Sequence, residues 1–154
     1  MNTTGSPMMI ETRFGSFQAA EHDVINVPGG VPAFEGCTRY VLVGGPDMHP
    51  FTCLQGLEPP QPSFLVIDPH LVVPGYRITL SSMDYRRLGA DPSDPLLWLA
   101  IVRMGSSDDT CVNLRAPIVV NPRRMLAIQA LPHDSAYRHD HPLRLEAAHA
   151  GLHP

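Results

Sequence analysis

The stretch from Leu96 to Leu131, LLWLAIVRMGSSDDTCVNLRAPIVVNPRRMLAIQAL, decides the fold. It opens with the longest apolar run in the chain, the nine residues Leu96 to Met104 with Trp98 inside, which reads as a central strand. The polar turn Gly105 to Asp109 follows. Three shorter apolar runs, Thr110 to Arg115, Ile118 to Val120 and Met125 to Leu131, are separated by Ala116-Pro117 and Asn121-Pro122. Short β-rich runs punctuated by Pro, Gly and Asn are the pattern of strands and turns, not of helices. The rest of the chain repeats it: 17 prolines recur about every ten residues between short apolar segments. Proline costs about 3 kcal/mol inside a helix, so long helices are excluded and short strands are not.

Upstream, Met9 to Gln18 reads as a hairpin turning at Phe14-Gly15-Ser16. Asp23 to Val27, Arg39 to Val43 and Phe51 to Leu57 read as strands closed by glycine or proline. Phe64 to Ile67 is continuously apolar and is expected to be buried on both faces, with Leu71 to Val73 similar. Tyr76, Ile78 and Leu80 alternate with Arg77 and Thr79, which is strand periodicity with one wet face. One helix is expected. Ser81 and Ser82 offer an N-cap, Asp84 completes a capping box with Ser81, and Gly89 offers the stop. At about two turns it is stable only when docked, and Tyr85 and Leu88 share the face that would dock. The fold class is mainly β: a small antiparallel barrel or pseudo-barrel with one short helix. One domain over residues 9–143 is flanked by a flexible N-terminus, 1–8, and a flexible tail, 144–154. Beyond Pro132 the strand pattern stops, so His133 onward is either a docked arm ending in a frayed tail or disordered throughout.

The 154 residues are 44% hydrophobic and 17% charged, a globular composition. No apolar run approaches the roughly 18 residues of a membrane span, and Met1 to Met9 lacks the features of a signal peptide. The three cysteines, Cys37, Cys53 and Cys111, are odd in number and widely spaced, which points to reduced thiols in a cytoplasmic protein. All 11 basic residues are arginine against 15 acidic ones, for a net charge of -4. No basic stripe is visible for direct nucleic-acid binding, and an acidic surface suits a basic protein partner better.

Signals for chemistry are weak. The chain holds no Gly-x-Ser-x-Gly elbow and no phosphate-cradling glycine loop. A Cys/His nucleophile pairing stays open, against the plainer reading of Cys53 and Cys111 as small buried hydrophobes. His133, His139 and His141, with Asp134 and Asp140, offer a metal- or ligand-binding arm, but Arg138 lies among them and would repel a cation. Asp108-Asp109 reads as a solvated turn, and Glu58-Pro59-Pro60-Gln61-Pro62 as a stiff, extended connector. No cofactor is expected.

Several blocks, in order from about Ile10 to Leu143, resemble the FliW family of flagellar assembly factors. Val27-Pro28-Gly29-Gly30-Val31-Pro32-Ala33-Phe34-Glu35 is similar to the family's Phe-Pro-x-Gly-x-Pro-Gly-Phe-Glu. Phe51 to Pro59 and Ser63 to Pro69 resemble its Trp-Leu-Gln-Ser run and following strand, and Val73-Pro74-Gly75-Tyr76 its Phe-Pro-Asp-Tyr. Asn113-Leu114-Arg115-Ala116-Pro117-Ile118-Val119-Val120-Asn121 is similar to Asn-Leu-x-Ala-Pro-Ile-Val-Ile-Asn, and His141-Pro142-Leu143 to the family's His-Pro-Leu ending. Ala33 stands where the family has Gly, so a turn needing positive φ would be strained there, and Cys53 stands in place of Trp. The resemblance implies a non-enzymatic regulator with a barrel-like fold. Such a protein binds the RNA-binding regulator CsrA away from its RNA groove and relieves repression of flagellin translation. It also binds flagellin, which makes the two partners competitors. Candidate partner contacts are Phe34, Tyr76, Asn113, Leu114, Arg115, Pro117 and Asn121. Core packing is the plainer reading for the two aromatics and turn capping for the two asparagines, while Pro117 suggests an edge or strand start where a partner chain could approach.

Overall fold

The structure is a computed structural model that describes residues 7–105 and 109–143. Most of the expected flexible N-terminus, Asp108 of the polar turn and the 144–154 tail lie outside the described residues. Eleven strands are present among them: β1 (Met8–Thr12), β2 (Gly15–Ala19), β3 (Ile25–Asn26), β4 (Arg39–Val43), β5 (Phe51–Gly56), β6 (Ser63–Ile67), β7 (Leu97–Arg103), β8 (Cys111–Val112), β9 (Ile118–Asn121), β10 (Leu126–Gln129) and β11 (His141–Pro142). The single α-helix among the described residues, α1, spans Ser82–Leu88.

Seven strands close a barrel in the order β7-β6-β5-β4-β3-β10-β9 and back to β7. Only β3–β10 is parallel. Closure depends on the length of β7. Leu97 to Leu99 pair with β9, while Val102 and Arg103 pair along the chain with β8, whose other edge takes β11. The opposite edge of β7 pairs with β6. The long apolar run therefore reads correctly as the central strand.

Alternation sorts each strand into an inner and an outer row. The inner rows meet in the barrel: Tyr40, Leu54, Val66, Leu99, Ile118, Val120 and Ala127 pack together with Ile25, Val27, Val31 and Cys37. The outer rows are also apolar, and three separate covers bury them. The β1–β2 hairpin lays Ile10 and Ala19 over Val41, Val43 and Cys53. Helix α1 brings Leu88 and Tyr85 onto Val119 and Ile128. The segment around Tyr76 and the arm around Tyr137 pack over Leu65, Ile67, Ala100 and Val102. In β6, Leu65, Val66 and Ile67 are all buried, as expected of a strand covered on both faces, while Phe64 at its start is only half-buried.

The helix forms as its sequence dictates. Ser81 Oγ accepts from the Asp84 amide at 3.0 Å, and Asp84 returns a bond to the Ser81 amide at 3.1 Å. Gly89 ends it at φ +62°, in the left-handed region. Burying Leu88 completely contributes roughly 2 kcal/mol, and docking of this kind supports a two-turn helix that is marginal alone.

Five sequence readings change. Leu71 to Val73 is not a strand: Asp68 caps a 3₁₀ turn at Pro69–Leu71 by accepting from the His70 amide, and Leu71 is 61% exposed. Tyr76 to Leu80 keeps its alternating burial but joins no ladder. The amide of Arg77 donates instead to the Tyr137 hydroxyl at 3.0 Å. Glu58 to Pro62 is a connector but not extended. It is a tight turn closed by Gln61 N–H to Glu58 C=O at 2.7 Å. Glu58 also anchors it, because the backbone amide of Thr38 donates to the carboxylate and holds it below the usual range. Finally, Asp23 to Val27 shortens to β3, since Glu21–Asp23 winds into a 3₁₀ turn, and Thr110 to Arg115 likewise shortens to β8, since Asn113 closes a turn on Arg115 and Ala116.

Candidate functional site

The segment from Asn113 to Asn121, the strongest sequence candidate for partner contact, is built into the barrel wall. The Asn113 amide donates to Ile101 C=O at 2.9 Å. Its side-chain oxygen accepts from the amides of Arg115 and Ala116, at 3.0 and 3.1 Å, and so closes its own turn. Leu114 is fully buried, and its amide donates to Arg138 C=O. The Leu114 carbonyl accepts from the Tyr76 hydroxyl at 2.7 Å. Tyr76 is buried too, and that burial, with the neighbouring Tyr137, pushes its phenol well above the usual range. Pro117 is buried, and its carbonyl accepts from Ala130. Asn121 is 1% exposed; it donates to Leu88 C=O at 2.8 Å and accepts from the Arg123 amide at 3.1 Å.

Tyr76, Leu114, Pro117 and Asn121 are therefore all buried within the fold. They hold the helix, the covering segments and the wall together. The turn-capping alternative describes both asparagines. Arg115 is exposed, with Nη1 3.5 Å from Ser135 C=O. Phe34 and Asn113 lie elsewhere, on an open groove.

That groove has a volume of about 720 Å³. Phe34, Phe64, Ile101 and Met104 give it apolar surface, and Arg13, Arg103 and His139 line it with nitrogen. Phe34 meets Phe64 edge-on at 5.4 Å, and Phe64 stacks on Tyr40 at 6.2 Å, so the aromatic surface continues into the barrel core. The hairpin turn forms one wall. Arg13 donates from its amide to Ser63 Oγ at 3.2 Å and from Nη2 to Ser63 C=O at 3.0 Å. Its guanidinium lies 5.0 Å from the centre of the Phe14 ring. Ser63 Oγ in turn donates to Gln55 Oε1. These bonds fix the turn to the β5–β6 pair. Arg103, exposed at the end of β7, reaches Cys111 Sγ at 3.3 Å.

Sequence reasoning missed Arg13, Phe64, Arg103 and Met104. The available signal was slight: an arginine and a 59%-exposed methionine at the end of an otherwise apolar central strand.

The other chemical readings also resolve. Cys111 and His139 share the groove, but no hydrogen bond joins them among the described residues, and the Asn113 oxygen is committed to its turn. Cys111 is only half-buried, which corrects its reading as a buried hydrophobe; Cys53 is buried as expected, and burial pushes its thiol up, away from a thiolate. All three cysteines are free. Among the described residues no three His, Cys, Asp or Glu side chains, those of His133, His139 and His141 included, converge as metal ligands would. Asp140 is instead held by Arg138 at 3.0 Å, and His141 sits in β11. Up to Leu143 the arm is docked. No helix among the described residues is long and apolar enough to cross a membrane.

The family model described as FliW protein matches residues 8–143, which takes in all of the strands, the helix and the groove. The chain belongs to the FliW family. A flagellar assembly factor FliW of Geobacter sulfurreducens is 35% identical over 138 residues, covering 89% of this chain and 86% of that protein. One of Bacillus pumilus is 32% identical over 143 residues, covering 92% and 99%. A crystal structure of the flagellar assembly factor FliW superimposes with a TM-score of 0.79 at 28% identity, covering 88% of this chain and 96% of that one. In this FliW chain the resembling blocks fall at places that shape the barrel. Gly30, in the first block, has φ +71°, and a Cβ there would lie 2.6 Å from the Glu35 Cα. The His-Pro-Leu block is β11 and its exit.

Proposed function

We propose that this FliW chain acts in flagellar assembly as a cytoplasmic regulator that works by binding and not by catalysis. Its partners on this reading are CsrA and flagellin, and they compete for it. Free FliW holds CsrA off flagellin messages; accumulating flagellin occupies FliW and releases CsrA. The observation that carries this is the match over residues 8–143 to relatives named as flagellar assembly factors, across the whole fold and not one motif. Two features support it. The net charge of -4 suits a basic RNA-binding partner, and the groove offers a surface for a protein segment. Mutual exclusion makes the response depend only on the relative affinities and concentrations of the two partners.

Titration calorimetry against the host's own CsrA, with and without saturating flagellin, tests it. The expected result is CsrA binding that flagellin abolishes. Binding of flagellin alone would leave an assembly factor with no translational arm. An acidic protein docked on CsrA should also repel RNA phosphates, a contribution that weakens as salt shortens the Debye length from about 8 Å. Inhibition of RNA binding that is unchanged between low and high salt would remove that electrostatic component.

A further inference from the structure

We propose that the groove between the hairpin turn and the β6–β7 end of the barrel is the flagellin side of the switch, and that it receives a segment carrying a carboxylate among apolar side chains. The inference rests on the partner-switch reading above and adds which surface takes which partner, and by what chemistry.

Charge decides the assignment. The chain has 15 acidic residues against 11 basic, yet among the described residues no Asp or Glu lines this groove, while Arg13, Arg103 and His139 do. Among the described residues the arginines with an ion-pair partner are Arg39, Arg123 and Arg138, all outside the groove. Arg13 and Arg103 have no carboxylate within ion-pair distance there. Their described contacts are the Phe14 ring, Ser63 and the Cys111 thiol. A guanidinium already flanked by apolar surface is well suited to a carboxylate, because the water it gives up is weakly held and its fork donates to both oxygens. Phe34, Phe64, Ile101 and the exposed Met104 supply the apolar part of the contact. Met104 adapts to irregular partners better than a branched side chain would.

The same pattern argues against the other occupants. An RNA-binding regulator carries its own Lys and Arg, and these would meet Arg13 and Arg103 with like charge. A nucleic acid needs many phosphate contacts, and two arginines on a net acidic protein do not supply them. CsrA is left to the acidic surface elsewhere, so the competition acts through overlap of the bound partners or through the fold, not through a shared groove.

The test uses the full chain and two variants, Arg103→Glu and Met104→Asp. Both positions are exposed at the end of β7, and circular dichroism and a thermal melt confirm that each variant is folded. Calorimetry with the host's flagellin and, separately, with its CsrA gives the readout. Each variant is expected to bind flagellin at least about tenfold more weakly and CsrA within about twofold of wild type. Raising salt should weaken flagellin binding by wild type more than by Arg103→Glu. Undiminished flagellin binding by both folded variants overturns the assignment and leaves the partner switch standing. Loss of CsrA binding with flagellin retained overturns it in the opposite sense. Binding of polyuridylate RNA by wild type that Arg103→Glu abolishes would give the groove to a nucleic acid. Wild type that binds neither protein brings down the switch itself, and this assignment with it.

Discussion

Ala33 carries a backbone cost that a single atom explains. It sits at φ +77°, at the third position of the turn Val31-Pro32-Ala33-Phe34, which the Phe34 amide closes on Val31 C=O at 2.7 Å. Proline second and a left-handed residue third is the pattern of a type II turn, which favours glycine at the third place. The Cβ of alanine there costs about 1 kcal/mol, offset in part by the freedom glycine loses on folding. Ala33→Gly is expected to raise stability by about 0.5 kcal/mol or slightly more, read as a higher urea midpoint with an unchanged slope. No gain would mean that the neighbouring Gly30 and Pro32 already hold the turn without strain. Asn121 presents the opposite case, a polar group in the interior with each of its bonds assigned. Asn121→Ala would orphan the Leu88 carbonyl at the end of α1, and a loss of about 1–3 kcal/mol is expected by the same titration. A variant within 0.5 kcal/mol of wild type, roughly the scatter of neutral surface changes, would show that water replaces the amide.

Helix α1 shows how far an element can be read when all its instructions are local. Cap, capping box, apolar face and glycine stop lie within nine consecutive residues, Ser81 to Gly89, and each does in the fold what it promises in sequence. Ser81→Ala should cost about 1 kcal/mol and Gly89→Ala, at φ +62°, a similar amount. Denaturant titration of both variants and the double variant checks this. The two ends are seven residues of helix apart, so near-additive losses are expected, and a double variant no worse than either single would mean that α1 has already come undocked. The strands with regular pattern and clear turns, β4, β5, β6 and β7, were legible for the same reason. Leu71 to Val73 and Tyr76 to Leu80 were not, because a strand needs a partner as well as a pattern. Pro69 and the Asp68 cap wind the first into a turn. The second lies extended as a cover, its Arg77 amide taken by Tyr137, sixty positions away. Apolar alternation reports a buried face; it does not report what covers that face.

The whole molecule adds what no local pattern holds: closure, covering layers and a site assembled across the chain. The groove joins Arg13, Phe34, Phe64, Arg103 and His139 from five separate segments, and no spacing in the sequence announces them. Only Phe34 and Asn113 of the expected contact residues reach it. Tyr76, Leu114, Pro117 and Asn121 are bonded into the fold itself, and Arg115 is exposed outside the groove. Closure also buries two phenols, Tyr40 inside the barrel and Tyr76 beneath the covering arm. Burial pushes both well above their usual range, with Cys37 adding to the effect on Tyr40 and Tyr137 to that on Tyr76. The sign follows from proton counting. In the unfolded chain each phenol ionises near pH 10, whereas in the fold it keeps its proton, so the unfolded state binds fewer protons above that point. Stability present at neutral pH is therefore lost as pH rises past about 10. Tyr76→Phe should be less stable at pH 8 by about 1 kcal/mol, for want of the bond to Leu114 C=O, yet lose stability less steeply between about pH 9 and 11. Urea titrations of the two proteins across that range decide it. Parallel curves would mean that the Tyr76 phenol ionises as readily in the folded protein as in the unfolded one, and that the arm does not seal it from water.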